Sequence, residues 1–278
     1  MIYSFEVFPP KATTPVEQVS GCFAELSALR PDFISVTYGA GGGVNGGKLT
    51  CELAARLKNE FGIKPVAHLP CINYTRQEIA EVLAMFSEYG IRDILALRGD
   101  KSPDHPAKED FRYASELIAF IRSHGDFHLY GACYPEVHPE ARSAAEDIRH
   151  LKEKVEAGAS HLITQLFFDN DSFYSFREKC EIAGIDVPIE AGIMPVVNAA
   201  QIQRMVSLCG ASLPRKFTAM MQRFGHSPQA MRDAGIAYAV DQIVDLAANG
   251  ADGIHLYTMN NPEVARRITE AVSGILGR

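Results

Sequence analysis

Apolar positions along this chain keep two alternating rhythms. Short runs rich in β-branched and aromatic residues recur at 3–8, 33–38, 65–71, 93–99, 128–134, 161–168, 188–196 and 253–259, each bounded by glycine, proline or polar residues. Runs of this length and composition predict strands. Between them the apolar residues fall three and four apart, the spacing of a helix with one buried face. Helix starts are readable at Thr14-Pro15 with Glu17, and at Thr75 with Glu78 and Asn198 with Gln201, where a short polar side chain and a Glu or Gln three residues on form a capping box. Gly62, Gly90, Gly125, Gly158, Gly184, Gly210 and Gly250 are placed to stop the helices. Strand alternating with helix calls for parallel strands. Eight such units of roughly 30 residues close into a (β/α)8 TIM barrel more naturally than they build an open sheet with a second domain. The step from the seventh strand to the eighth is about twice as long as the others and carries two helical patterns, 214–224 and 228–249. One barrel over residues 1–278, with an extra helix between strands 7 and 8, is therefore the expected architecture.

Composition narrows the partners. With 47% hydrophobic and 22% charged residues the 278-residue chain can bury a large core, which excludes disorder as the main state. Twenty-seven Lys and Arg stand against 34 Asp and Glu, a net charge of −7, and no basic run exceeds two residues. A nucleic-acid partner is not expected, and no apolar stretch is long enough for a membrane span. The N-terminus shows no export signal. Six cysteines, Cys22, Cys51, Cys71, Cys133, Cys180 and Cys209, are scattered without a CxxC pair. A reduced, cytoplasmic setting fits them.

The run Gly41-Gly42-Gly43-Val44-Asn45-Gly46 satisfies G-x-G-x-x-G after a strand and before a helix expected at 48–61. A dinucleotide-binding turn also needs an acidic residue at the end of the next strand. That strand ends His68-Leu69-Pro70-Cys71, so the acid is missing. A phosphate-binding loop needs Ser or Thr where Leu49 stands. The plainer reading is a flexible loop over the barrel mouth.

Chemistry in a barrel of this kind gathers at the C-terminal ends of the strands. Those ends carry Glu6, Thr37-Tyr38, His68, Arg98-Gly99-Asp100, Tyr134 to His138, Gln165, and His255 with Tyr257. Glu6 lies between Phe5 and Val7, and a carboxyl group in apolar surroundings tends to keep its proton, which suits a general acid. The competing reading is a carboxylate paired with a lysine or arginine inside the barrel. Arg98 and Asp100 share a face and either grip a polar planar ligand or bridge each other. His68, His138 and His255 with Asp100 raise the idea of a metal site, but metal-dependent barrel hydrolases show His-x-His on the first strand, where this chain has Ser4-Phe5-Glu6. No metal is expected. The spacing of Phe167, Phe168, Phe173, Tyr174 and Phe176 fits packing at least as well as stacking on a flat ligand, and does not by itself make a cofactor box.

Taken in order, SFEVFPPK, SVTYGAGG, AHLPC, ALRGD, YPEVHPEA, ITQLFFD, GIMPVVN and HLYTMN resemble methylenetetrahydrofolate reductases over nearly the whole chain. The resemblance implies an FAD-dependent enzyme that reduces 5,10-methylenetetrahydrofolate to 5-methyltetrahydrofolate with NADH or NADPH by ping-pong hydride transfer. It implies a homo-oligomer whose partners are small molecules. Residue by residue, it gives Glu6 the role of general acid to N10 and makes Asp100 the catalytic carboxylate near flavin and pterin. Gln165 and Gln201 become folate contacts. FAD contacts would fall on Thr37, Tyr38, Ala40, His68, Arg98, Gly99, Asp100, Ala114, Tyr134, His138, Ala141, Asp147 and Lys154. Two places depart from the pattern. The glycine run lacks the Ser or Thr and the Arg expected after it, and Asn261 stands where an arginine for the folate glutamate tail is expected, reading instead as an N-cap before Pro262. Alternatives are a flavin barrel of the proline dehydrogenase type, a metal-dependent barrel hydrolase, and a non-catalytic folate-binding protein on the same fold.

Overall fold

The computed structural model describes residues 1–10, 16–38, 43–100, 106–198, 202, 205–206 and 209–277. Eight parallel strands close a barrel in sequence order. They are β1 (Ile2–Val7), β2 (Phe33–Val36), β3 (Pro65–Pro70), β4 (Asp93–Leu97), β5 (His128–Cys133), β6 (His161–Thr164), β7 (Ile189–Ile193) and β8 (Gly253–Tyr257). β1 closes the ring by pairing with both β2 and β8, in a register that sets Glu6 beside Ser35 on one side and Tyr257 on the other. All eight expected strands are present. Several stop two to four residues short of the predicted ends, because Gln165 to Phe168 and Met194 to Val196 leave the ladder while remaining buried or half-buried at the barrel mouth.

The helices among the described residues are α1 (Val16–Ala28), α2 (Gly43–Phe61), α3 (Arg76–Glu88), α4 (Ala114–Arg122), α5 (Ala144–Ala157), α6 (Asn170–Ile182), α7 (Arg215–Phe224), α8 (Pro228–Ala248) and α9 (Pro262–Leu276). Both helical patterns predicted between the last two strands form, as α7 and α8. None of these helices is long and apolar enough to cross a membrane.

Alternation along the strands divides two cores. Tyr3, Phe5 and Val7 of β1 join Ile34, Val36, Ala67 and Leu69 in the layer between strands and helices. Phe33, Val66, Leu95, Tyr130 and Ile163 fill the barrel axis, with Ile2 packed against them. Ser4 and Glu6 have the parity of Ile2, so they face the axis as well. Of the two readings of the aromatic run after β6 the structure supports packing, since Phe167, Phe168, Phe173 and Phe176 are buried.

Local signals hold with three amendments. The Thr75 box is complete, its hydroxyl accepting from the Glu78 amide at 3.2 Å while the Glu78 carboxylate accepts from the Thr75 amide at 2.6 Å. Thr14, Pro15 and Gln201, and with Gln201 the second box, lie outside the described residues. Gly125 does not adopt the left-handed conformation found at the other six predicted stops. The helix after the glycine run starts at Gly43 and not at Lys48, so the second half of that run is helical and not a loop. Gly47 is required there by contact: a Cβ would stand 2.7 Å from the Tyr38 hydroxyl. Gly235 is tighter still, since a Cβ would lie 1.9 Å from the Val196 carbonyl and push α8 off the loop after β7.

Candidate active site

Glu6 is the last inward-facing residue of β1, its side chain 15% exposed at the barrel mouth. One carboxylate oxygen lies 3.4 Å from His68 Nε2 and 3.8 Å from His255 Nε2. Its ionic neighbours among the described residues are therefore imidazoles, not the lysine or arginine of the competing reading. His68 is buried, and that burial holds its imidazole below the usual range; the Glu6 charge opposes the shift and His255 adds to it. His68 Nε2 has no hydrogen-bond partner. The 3.4 Å contact to Glu6 is close enough for attraction but lacks hydrogen-bond geometry.

Three side chains that carried no role in the sequence hold this corner. Thr258 donates to the Glu6 carbonyl at 2.6 Å, fixing the end of β1. Asn260 donates to the Phe8 carbonyl at 2.9 Å and accepts from the Phe8 amide at 3.0 Å, a two-point clamp between the loops after β1 and β8. Met259 and Asn260 both take left-handed backbone, with φ of 53° and 51°, to make that turn. Ser35 reaches His255 Nε2 at 3.4 Å. In the sequence these appear as isolated polar residues, and only the register shows that they converge.

The other half of the mouth is built by β4 to β6. Arg98 is forked onto Glu140 at 2.9 and 2.8 Å, so its carboxylate partner is Glu140 and not Asp100, which is exposed. That pairing raises the Arg98 pKa against the effect of burial. Gly99 has φ of 86° and turns the chain tightly over Pro70. The ring of Tyr134 stands edge-on to His138 at 4.6 Å. Burial, with the Asp100 charge, pushes the Tyr134 phenol up to about 12, so it stays a neutral donor, and a hydrogen bond from Gln165 works in the other direction. Gln165 also accepts from the Leu166 amide at 2.9 Å. His138 Nδ1 accepts from the Glu140 amide at 3.0 Å, which leaves the proton of the neutral ring on Nε2. Asp147 accepts from the His138 amide at 2.9 Å, and Ala141 donates to the His138 carbonyl at 2.8 Å to close the turn. Lys154 donates to the Ala132 carbonyl at 2.7 Å, and burial lowers its pKa. Ala114 begins α4 and is buried. Thr37 and Tyr38 follow β2; Thr37 accepts from the Thr50 hydroxyl at 3.2 Å, and Tyr38 packs edge-on against Tyr74. Ala40 and Gln201 lie outside the described residues.

The mouth thus joins an acid flanked by histidines to a rim of amide, phenol and guanidinium donors. The family model of methylenetetrahydrofolate reductase matches residues 1–273 of this sequence. The chain belongs to that family. The 5,10-methylenetetrahydrofolate reductase of Pectobacterium carotovorum subsp. carotovorum is 38% identical over 265 residues, covering 95% of this chain and 88% of the relative. That of Escherichia coli (strain K12) is 37% identical over the same shares of both chains. A solved structure from Clostridium thermocellum, described as an uncharacterized protein that binds two copies of 5-methyl-5,6,7,8-tetrahydrofolic acid, superposes with a TM-score of 0.67 over 100% of this chain and 96% of its own. At 13% identity that likeness shows the barrel alone. Membership in the methylenetetrahydrofolate reductase family makes the chain an oxidoreductase of the folate one-carbon pool. It displaces the proline dehydrogenase and hydrolase alternatives.

Proposed function

We propose that the chain reduces 5,10-methylenetetrahydrofolate to 5-methyltetrahydrofolate with FAD and NAD(P)H, and that Glu6 is its general acid. The observation that carries this reading is the placement of Glu6: a carboxyl group at the mouth with two imidazoles and no ammonium or guanidinium within ion-pair distance among the described residues. FAD, when bound, supplies a carrier that accepts hydride from NAD(P)H and yields it to the folate, so that the two substrates take turns at one face. The residues present fit such a group, because His68 Nε2 is a buried polar atom left without a partner at the mouth. Thr37, Tyr38, His68, Arg98, Gly99, Asp100, Ala114, Tyr134, His138, Ala141, Asp147 and Lys154 would hold it, with Ala40 beside them in the chain.

The folate needs a proton because N10 is a poor leaving group from the five-membered ring until it is protonated. Glu6 gives that proton at N10. Asp100 accepts hydrogen bonds from the pterin, and Gln165, with Gln201, orients the substrate. The Arg98–Glu140 fork keeps the guanidinium rigid beside Tyr134. In the absorption spectrum of the purified protein we expect a flavin band that NADH or NADPH bleaches and methylenetetrahydrofolate restores. A protein that turns over the folate without any such band would overturn the cofactor assignment.

A further inference from the structure

Below Glu6 a second acid is sealed inside the barrel. Glu190 of β7 is fully buried, as are Ser4 of β1 and His255 of β8. The Ser4 hydroxyl donates to one Glu190 oxygen in a short hydrogen bond and lies 2.7 Å from His255 Nδ1. The other Glu190 oxygen lies 2.6 Å from His161 Nε2. On its far side the His255 ring presents Nε2 to Ser35 at 3.4 Å and to Glu6 at 3.8 Å. A continuous polar chain therefore runs up the axis from His161 through Glu190, Ser4 and His255 to Glu6.

The direction of its hydrogen bonds follows from what each group is able to do. The Ser4 hydroxyl donates to Glu190, whose other oxygen is occupied by His161 Nε2. With its only proton committed to Glu190, the Ser4 oxygen is an acceptor toward His255. Nδ1 must then carry the ring proton, and the neutral ring turns a lone pair at Nε2 toward Glu6. A buried carboxylate that fixes an imidazole tautomer at one remove is the arrangement of a catalytic triad, with Ser4 interposed.

We propose that Glu190 is a positioning residue for the proton of Glu6. Acting through Ser4, it holds His255 as the Nδ1–H tautomer, so that Nε2 is an acceptor for the Glu6 O–H. The proposal rests on Glu6 being the general acid. In each turnover the Glu6 O–H bond breaks as the N10–H bond forms, leaving a carboxylate. One solvent proton entering at the mouth, where Glu6 is the exposed member of the polar chain, then restores the Glu6 O–H bond, and His255 keeps its Nδ1–H form with Nε2 as the acceptor for that O–H. The separation of 3.8 Å is longer than a hydrogen bond and closes with a modest rotation of the Glu6 side chain. The groups around Glu190 are Ser4 on β1 and His161 on β6, with Tyr130 of β5 within electrostatic range. Around His255 they are Ser4, Glu6, Ser35, His68 and Tyr257.

Histidine labelled with 15N tests this without any turnover, the His255 signals being assigned by their loss in His255→Gln. In the wild-type protein Nδ1 should be the protonated nitrogen; a ring protonated on Nε2 with Nδ1 bare overturns the proposal, and this needs no variant at Glu190. In Glu190→Met, or in Ser4→Ala should the former not fold, the Nε2–H form should appear. Folate reduction should slow by about tenfold or more, with the folate KM within about twofold and the NADH half-reaction unchanged. Glu190→Asp, which keeps a carboxyl group to accept from Ser4, should recover part of the rate. An unchanged rate in a folded Glu190→Met protein overturns the proposal. If Glu6→Gln slows folate reduction but Glu190→Met does not, only the Glu190 role falls; if Glu6→Gln also has no effect, the acid assignment falls with it.

Discussion

At the N-terminal end of the strands Lys64 meets Asp93 at 2.7 Å and the Tyr130 hydroxyl at 3.0 Å, whereas at the opposite end His68 Nε2 is buried without a hydrogen bond. The floor pairs its charge inside the protein, and its ion pair gains little for being half-exposed. The mouth leaves buried polar atoms unpaired, at a cost of about 1–3 kcal/mol for each such group. Glu136 Oε1 and Asn73 Oδ1, in the loops after β5 and β3, are further examples. Asp93 Oδ1 at the floor also lacks hydrogen-bond geometry, but it faces the Lys64 ammonium at 2.7 Å, whereas the charged groups that His68 Nε2 faces are confined to the Glu6 carboxylate among the described residues, which leaves the mouth with capacity that a ligand can use.

The sharpest test of this contrast is at Glu6. Glu6→Gln should lower the rate of folate reduction by about a hundredfold or more, the scale for loss of a general acid, while bleaching of the flavin by NADH stays within about twofold. Stopped-flow absorbance separates the two half-reactions. Equal loss in both would mean that Glu6 shapes the mouth and does not deliver the proton.

The floor should answer in stability and not in rate. Lys64→Met should lower unfolding free energy by about 1 kcal/mol in urea titration and leave both half-reactions unchanged. Its pH dependence has a definite sign. Burial disfavours the Lys64 charge, but hydrogen bonds to Asp93 and Tyr130 outweigh it, so the folded pKa is raised above the ordinary 10.5. The stabilisation is therefore complete below pH 10.5 and is lost as pH rises through the folded pKa. Lys64→Met should not show that alkaline loss. If it shows the same loss, the pair is not what stabilises the floor.

His68 predicts the opposite dependence at the mouth. Its folded pKa is depressed by burial below the ordinary 6.5, so the unfolded chain takes up a proton first as acid is added. Stability should fall as pH drops below about 6.5 and level off beneath the folded pKa. Replacing His68 with Gln should remove this step from the curve of stability against pH. A wild-type curve that is flat from pH 7 to pH 5 would show that the ring is not held neutral.

Why the barrel was legible and part of the mouth was not follows from the range of the forces involved. The strands announce themselves through local alternation and the helices through caps such as Thr75 and Glu78, signals that reach across only a few residues. Glu6, His68 and Gln165 stand out in the sequence because they interrupt apolar runs at the end where barrels do chemistry, and the structure brings Glu6 and His68 to within 3.4 Å of each other. Ser4, Glu190, Thr258 and Asn260 were missed because their meaning lies in partners up to 252 residues away, such as the Phe8 and Asn260 clamp. The alternation of Ser4 with Glu6 was a usable hint, since two polar residues two apart share an inward face. The glycine run was misread in its second half because glycine suggests a loop unless the contact that demands it, here Tyr38 against Gly47, is known.

The smallest expected effect belongs to the folate tail, where mouth and exterior meet. Asn261 is already committed: its side chain accepts from the Val264 amide at 3.2 Å and caps α9, with Pro262 beginning the helix. An N-cap of this kind contributes about 1 kcal/mol to the helix, so the amide oxygen has a partner to lose if it turns toward a ligand. It also carries no charge to attract the carboxylates of added glutamates. A single exposed ion pair would be worth at most about 1 kcal/mol, or some fivefold in affinity, and Asn261 forgoes even that. Methylenetetrahydrofolate with additional glutamates should therefore change KM by no more than about threefold per residue added, within the range of weak exposed contacts. A tenfold tightening with each glutamate would reveal a cation at the rim that does the work of the absent arginine, and would extend the binding surface beyond the mouth described above.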